Sequence, residues 1–133
     1  FAGALVDAAE RSGLAGYLGD GSQRWPALHR QDAARLYRLA VEQAPAGAVL
    51  HGVGEQGVRL RAIAELIGTR LGVPVRQVPA EEAEAYFGWL ATLAGTDAPA
   101  SSATTQSLLA WQPDHPGLLD DLAHGEFFQG ARR

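Results

Sequence analysis

Hydrophobic and polar positions along this chain repeat mostly with the period of helices. Phe1, Leu5 and Ala8 or Ala9 fall at helical spacing and predict a helix over residues 1–12, with Gly13 placed to end it. A short apolar stretch, residues 14–18, runs into the turn signal Gly19-Asp20-Gly21-Ser22, and residues 24–28 are the return strand of a predicted hairpin, weakened by Pro26. Residues 32–43 predict a helix with Leu36, Leu39 and Ala40 on one face, stopped by Pro45 and Gly47. The compact apolar run 48–53 has strand length.

The cleanest amphipathic pattern follows. Leu60, Ile63, Ala64, Ile67 and Leu71 keep the i, i+3, i+4, i+7, i+11 series, and Gly72 stands at a stop position. Residues 73–78 predict a short strand, with Pro74 suggesting an edge. Residues 80–93 predict a helix opened by Glu81, Glu82 and Glu84, because acidic side chains suit the positive end of the helix dipole. Ser101 or Ser102 is placed to cap a helix reaching to about Trp111. Pro113 and Pro116 break the chain before a last helix over 118–123. The order predicts an α/β fold with few short strands, too few to make a good sheet alone.

Composition narrows the function. The 133 residues suit one domain, and 47% apolar with 20% charged residues is ordinary globular composition. There is no cysteine, which excludes disulfides and thiolate metal sites and fits a cytoplasmic setting. No apolar run is long enough to span a membrane. Net charge is −4 and the basic residues are scattered arginines, so neither nucleic acid nor a membrane surface is the expected partner; a small molecule or another protein is. There is no lysine to act in catalysis. The chain opens on Phe1 and holds no methionine, so it is expected to be part of a longer translation product.

Gly52-Val53-Gly54-Glu55-Gln56-Gly57 matches G-x-G-x-x-G, in which glycines let backbone approach a pyrophosphate at a helix N-terminus. Here the apolar helical face starts only at Leu60, and His51 stands where a small or apolar residue is usual. The expectation is a glycine-rich loop between strand and helix rather than a cofactor cradle; a small nucleotide binder using this loop is the alternative.

Four segments, in order, resemble the extended short-chain dehydrogenase/reductase family (NAD-dependent epimerases and dehydratases). Residues 19–34, GDGSQRWPALHRQDAA, resemble its G-D-G-x-x-x-R-D-x-x-H-V-x-D-x-A stretch. Residues 48–71 resemble its strand, glycine loop and L-R-x-I-A-x-x-I helix. Residues 101–113, ending Leu108-Leu109-Ala110-Trp111-Gln112-Pro113, resemble its S-x-x-x-x-x-x-L-G-W-x-P segment, and residues 118–122 its closing helix. The resemblance implies the helix-rich C-terminal part of a Rossmann-like enzyme, residues 1–133 forming a single substrate-binding portion. The dinucleotide-binding domain and the catalytic tyrosine and lysine would then lie outside the chain. It implies NAD or NADP for the intact enzyme, with none expected on this chain alone, and the missing N-terminal half of the same protein as partner.

One departure bears on the substrate. Counting back from His29, Trp25 takes the position of the family's usual arginine and Arg24 lies one residue earlier. In nucleotide-sugar enzymes of the family that arginine pairs with phosphate, and a shift of one along a strand turns a side chain to the other face. A smaller carbonyl or alcohol substrate packing on Trp25 is the expectation.

The substrate-binding candidates are Arg24, Trp25, His29, Tyr86 and Trp89. Arg24 can make a bidentate contact with an anion, or be an exposed turn arginine. Trp25 either lines a pocket or packs in the core. His29 is expected to orient its loop by bonding to backbone or Asp32, and Asp32 to cap its helix. Tyr86 and Trp89, with Phe87, are either a pocket wall or aromatics buried against the domain. Asp120 and His124 share i, i+4 spacing but have no third metal ligand. The chain is thus read as the substrate-binding portion of an NAD(P)-dependent oxidoreductase, inactive alone. The alternative is a free-standing small-molecule or protein-interaction module. The enzyme-portion reading predicts that residues 48–53 carry an exposed strand edge or pair with another copy of the chain, as a homo-oligomer.

Overall fold

A computed structural model describes residues 1–125, 127 and 128. The elements run α1 (Ala2–Ser12), β1 (Ala15–Leu18), β2 (Arg24–Ala27), α2 (Arg30–Gln43), β3 (Glu55–Arg59), α3 (Leu60–Leu71), β4 (Val75–Val78), α4 (Ala83–Phe87), α5 (Ala91–Ala94), α6 (Ala103–Leu109) and α7 (Leu118–His124). Their contacts divide the chain into two compact units. One comprises Phe1–Arg24, Arg59–Asp97 and Leu119–Arg133; the other comprises Trp25–Val58 and Ala98–Leu118.

In the first unit, α1 and α3 pack on β1 and on each other. The periodic face of α3 is why: Leu60, Ile63, Ala64 and Ile67 are all buried, and so are Leu5, Val6, Ala8 and Ala9 of α1. Each large aliphatic side chain taken from water contributes roughly 1.5–3 kcal/mol. Gly13 and Gly72 end the two helices in the left-handed conformation, at φ 71 and 68, as their positions predict.

The predicted hairpin does not form. Strand β1 pairs in parallel with β4, Ala15 opposite Val75 through Leu18 opposite Val78, and β2 pairs with β3. The reason is visible in the turn. Ser22 N–H and Oγ donate to Asp20 Oδ1, Gly21 N–H closes on Leu18 O, and the backbone N–H groups of Leu60 and Arg61 donate to Gln23 and Gly21 carbonyls. The turn is tied to the start of α3, not folded back on β1. Nor is 80–93 one helix. Short 3-10 turns at Ala80–Glu82 and Gly88–Leu90 alternate with α4 and α5, and Gly88 at φ 56, ψ −130 breaks the α-helical run.

In the second unit, α2 and α6 enclose a core of Leu36, Leu109 and Trp111, with Leu28, Leu39, Ala40, Ala44 and Leu50 packed against it. Residues 48–53 are not a strand; β3 begins two residues later, inside the glycine motif. Helix α6 stops at Ala110, a left-handed residue at φ 47, rather than at Trp111. At its start the two serines divide the work. Ser101 Oγ accepts from Ala103 N–H, while Ser102 Oγ donates to Val53 O at 2.5 Å, holding the irregular segment to α6. No helix among the described residues is long and apolar enough to cross a membrane.

Candidate functional site

The sequence candidates separate between the two units. In the first, Arg24 forms a bidentate pair with Asp97, Nε to Oδ1 at 3.1 Å and Nη2 to Oδ2 at 2.9 Å, and its backbone N–H also donates to Oδ1. The hydrogen bonds and charge of Arg24 hold the Asp97 carboxyl below its ordinary range. The guanidinium fork is filled by a carboxylate of the chain itself. That pairing of positions 24 and 97 carries no local sequence signal.

Tyr86 is a latch. Its hydroxyl accepts from Gly16 N–H at 2.7 Å and donates to Leu14 O at 2.8 Å, joining α4 to β1, and burial pushes its phenol upward. Tyr86→Phe should cost about 1–2 kcal/mol in urea denaturation, since Gly16 N–H loses its acceptor and Leu14 O keeps only the Ser12 hydroxyl. An unchanged midpoint would show that water replaces the hydroxyl at no cost. Phe87 packs edge-on to Tyr86 and is buried, whereas Trp89 is 75% exposed. The aromatics are therefore not buried as a group against the domain.

The same unit has a polar cleft that the sequence candidates did not include, lined by Asp20, Ser22, Arg59, Arg61 and Glu65. Arg61 pairs with Glu65 at 2.9 Å and lies over the Tyr17 ring. The signal for it was the Gly19–Ser22 turn, which brings Ser22 beside residues 59–61 once tied to α3. With both signs of charge, the cleft suits a polar, hydroxylated small molecule better than a bare anion.

In the second unit, Trp25 is 6% exposed and packs in the interior. His29, not Asp32, caps α2: its Nδ1 accepts from Gln31 N–H at 3.2 Å. Asp32 points inward, 1% exposed, and gathers the segment after Trp111. It accepts from the N–H groups of Asp114 and His115 and from His115 Nδ1 at 2.8 Å. Arg35 reaches Asp32, Asp114 and Gln112 O. The His115 ring stacks on His29 at 4.8 Å. Burial pushes the Asp32 carboxyl up, but the His115 ring and the two backbone donors outweigh it and hold it at about 2. Ligand atoms of Asp32, Asp114 and His115 lie within 4.8 Å of one another, yet both Asp32 oxygens already face N–H donors, so the cluster works as a staple. His124 Nδ1 sits 3.1 Å from Asp120 O, an intrahelical contact rather than a metal pair.

The glycine motif does not fit a dinucleotide. Gly57 lies within β3, and the Gly54 N–H donates to Ala27 O at 2.8 Å. The Glu55 carboxylate is spent on Leu118 N–H, at the start of α7.

No family model matches the chain. The chain is 44% identical over 93% of its length to the uncharacterized protein C2A9.02 of Schizosaccharomyces pombe, and 44% identical over 89% to the uncharacterized protein YLL056C of Saccharomyces cerevisiae. It spans 42% and 40% of those proteins. Among solved structures, it is similar to MoeE5 in complex with UDP-glucuronic acid and NAD, with a TM-score of 0.65 at 20% identity over 96% of this chain and 40% of that one. It is similar to DesIV, a dTDP-glucose 4,6-dehydratase of Streptomyces venezuelae with NAD and TYD bound, with a TM-score of 0.68 at 18% identity over 96% and 38%. It is also similar to RMD of Pseudomonas aeruginosa complexed with NADPH, with a TM-score of 0.59 at 20% identity over 92% and 38%. These neighbours are extended short-chain dehydrogenase/reductase enzymes of the epimerase–dehydratase type, and the chain has the Rossmann-associated fold of their C-terminal portion.

Proposed function

We propose that this chain is the substrate-binding portion of an NAD(P)-dependent oxidoreductase acting on a small carbonyl or alcohol compound, with cofactor and acid–base chemistry supplied by the rest of a longer protein. The observation that carries it is the match of nearly the whole chain to the C-terminal portion of enzymes that hold NAD or NADPH. The Arg24–Asp97 pair supports the smaller substrate. A guanidinium already forked onto a carboxylate has its Nε and Nη2 edge taken, and giving up that pair would offset much of any bidentate phosphate contact. The polar cleft along Ser22, Arg59 and Arg61 is the place where hydroxyl groups of such a substrate would be held.

The test uses a chimera in which this chain replaces the matching segment of C2A9.02. It should oxidise NADPH or NADH in the presence of small aldehydes or ketones and ignore UDP- and TDP-sugars, while the 133-residue chain alone turns over nothing. Turnover by the isolated chain, or a chimera that consumes only nucleotide sugars, would overturn the reading.

A further inference from the structure

We infer that the polar cleft of the first unit binds a short polyhydroxylated carboxylic acid, with Arg59 as the anchor for its carboxylate and Ser22 and Glu65 as acceptors for its hydroxyl groups. The inference rests on the functional reading above, and it narrows the substrate of that reading to a hydroxy or oxo acid.

The cleft measures about 480 Å3. Small-molecule sites usually fall between roughly 300 and 1,000 Å3. Its walls are fixed to one another by backbone. The N–H groups of Leu60 and Arg61 donate to Gln23 O at 2.8 Å and to Gly21 O at 3.0 Å, which sets the 19–22 turn against the start of α3. Arg59 stands just before that helix, in extended backbone at φ −68, ψ 133. Arg61 is held by Glu65 through Nε and lies over the Tyr17 ring.

The groups left open define the ligand. Ser22 Oγ gives its only proton to Asp20 Oδ1 at 2.6 Å, so toward a ligand it can only accept. Glu65 Oε1 takes Arg61 Nε at 2.9 Å, and among the described residues Oε2 has no hydrogen-bond partner. An ionised carboxylate is also acceptor-only, so both oxygens match hydroxyl donors. Arg59 is the opposite case. The Ser22 hydroxyl and N–H hold the Asp20 carboxyl below its ordinary value, and the Arg59 charge adds to them. Yet among the described residues the Arg59 guanidinium makes no hydrogen bond or ion pair. An open planar fork of donors fits a carboxylate, and charge-assisted hydrogen bonds are roughly twice as strong as neutral ones. A neutral polyol leaves that fork unused. A phosphate ester brings about two negative charges toward Asp20 and Glu65, with Arg61 already engaged. One carboxylate with several hydroxyls uses Arg59, Ser22 and Glu65 together.

Calorimetric titration of the C2A9.02 chimera and of the 133-residue chain with gluconate, glucitol and glucitol 6-phosphate tests this, since the three differ only in an end group. Gluconate should bind both proteins about tenfold more tightly than the other two. Arg59→Gln should remove that preference at an unchanged melting temperature, because its side chain makes no hydrogen bond or ion pair in the fold. Arg59→Lys should keep part of it, having the charge without the fork. Arg76→Gln should leave it intact: Arg76 is exposed on β4 opposite Gly16, on the other face of the sheet from Tyr17. A chimera that reduces small aldehydes but shows no preference for gluconate, or keeps it after Arg59→Gln, overturns the acid site and leaves the functional reading standing. Tighter binding of glucitol 6-phosphate overturns the acid site as well. So does gluconate binding seen with the 133-residue chain and lost in the chimera, which would mean that the rest of the protein covers the cleft. Gluconate bound through Arg59 by a chimera that oxidises neither NADPH nor NADH with any small carbonyl supports the acid site and overturns the functional reading.

Discussion

Asp32→Ala is expected to destabilise the protein by about 3 kcal/mol or more in urea denaturation, the cost typical of removing one partner from a buried charged network. The carboxylate is 1% exposed and serves the N–H groups of Asp114 and His115, the His115 ring and Arg35 together. Its loss leaves two backbone donors and a ring nitrogen facing a void, and leaves Arg35 to hold the segment between α6 and α7 to α2. Asp32→Asn retains shape and one acceptor and should recover part of the loss. The same residue sets an acid limb. Its carboxyl titrates at about 2 in the folded state against an ordinary 3.8, so between those values the unfolded chain binds the extra proton. The stabilisation is complete above about pH 5 and is lost as pH falls from about 4 to 2, a loss of about 2 kcal/mol. Denaturation at pH 7, 5 and 3 should show that limb in the parent and not in Asp32→Asn. A variant that keeps the same limb would assign it to other carboxylates.

Gly21→Ala is expected to cost about 2–4 kcal/mol, with the drop in melting temperature read by circular dichroism. Gly21 sits at φ 73, where an L side chain costs roughly 1–2 kcal/mol. A Cβ there would lie 2.4 Å from Arg61 Cβ and 3.2 Å from Arg61 Cα, the latter being backbone of α3 that cannot swing aside. The Gly21 carbonyl also receives the Arg61 N–H, so relief by moving the turn would break the tie between it and α3. The polar cleft is built on that tie. A chimera carrying Gly21→Ala should therefore lose substrate affinity as well as stability. A melting temperature within a degree of the parent would show that the turn yields freely.

Local pattern was enough where one element decided its own fate. The five apolar positions of α3 and the stop at Gly72 correspond to the observed helix because a 3.6-residue period buries one stripe regardless of what covers it. The family resemblance over residues 19–34, 48–71, 101–113 and 118–122 led to the fold that the solved neighbours share. Pattern was not enough for pairing. Residues 14–18 and 24–28 read as a hairpin because a turn lies between them, but turn sequence does not say whether the chain returns or is tied elsewhere, and here hydrogen bonds from α3 decided it. Residues 48–53 read as a strand by composition, yet a strand exists only with a partner, and the described chain offers 51 and 53 side-chain hydroxyls instead.

The sequence by itself determined helices α1, α2 and α3, the absence of lysine and cysteine chemistry, and the displacement of arginine from position 25 to 24. Only the tertiary structure decided what the polar side chains do. Arg24 is bound to Asp97, Asp32 faces inward to hold His115, and Tyr86 bridges Leu14 and Gly16, at separations of 70 residues or more. Helix period is a property of neighbours in the chain, whereas a hydrogen bond between distant residues depends on how the helices pack, and no local pattern encodes it.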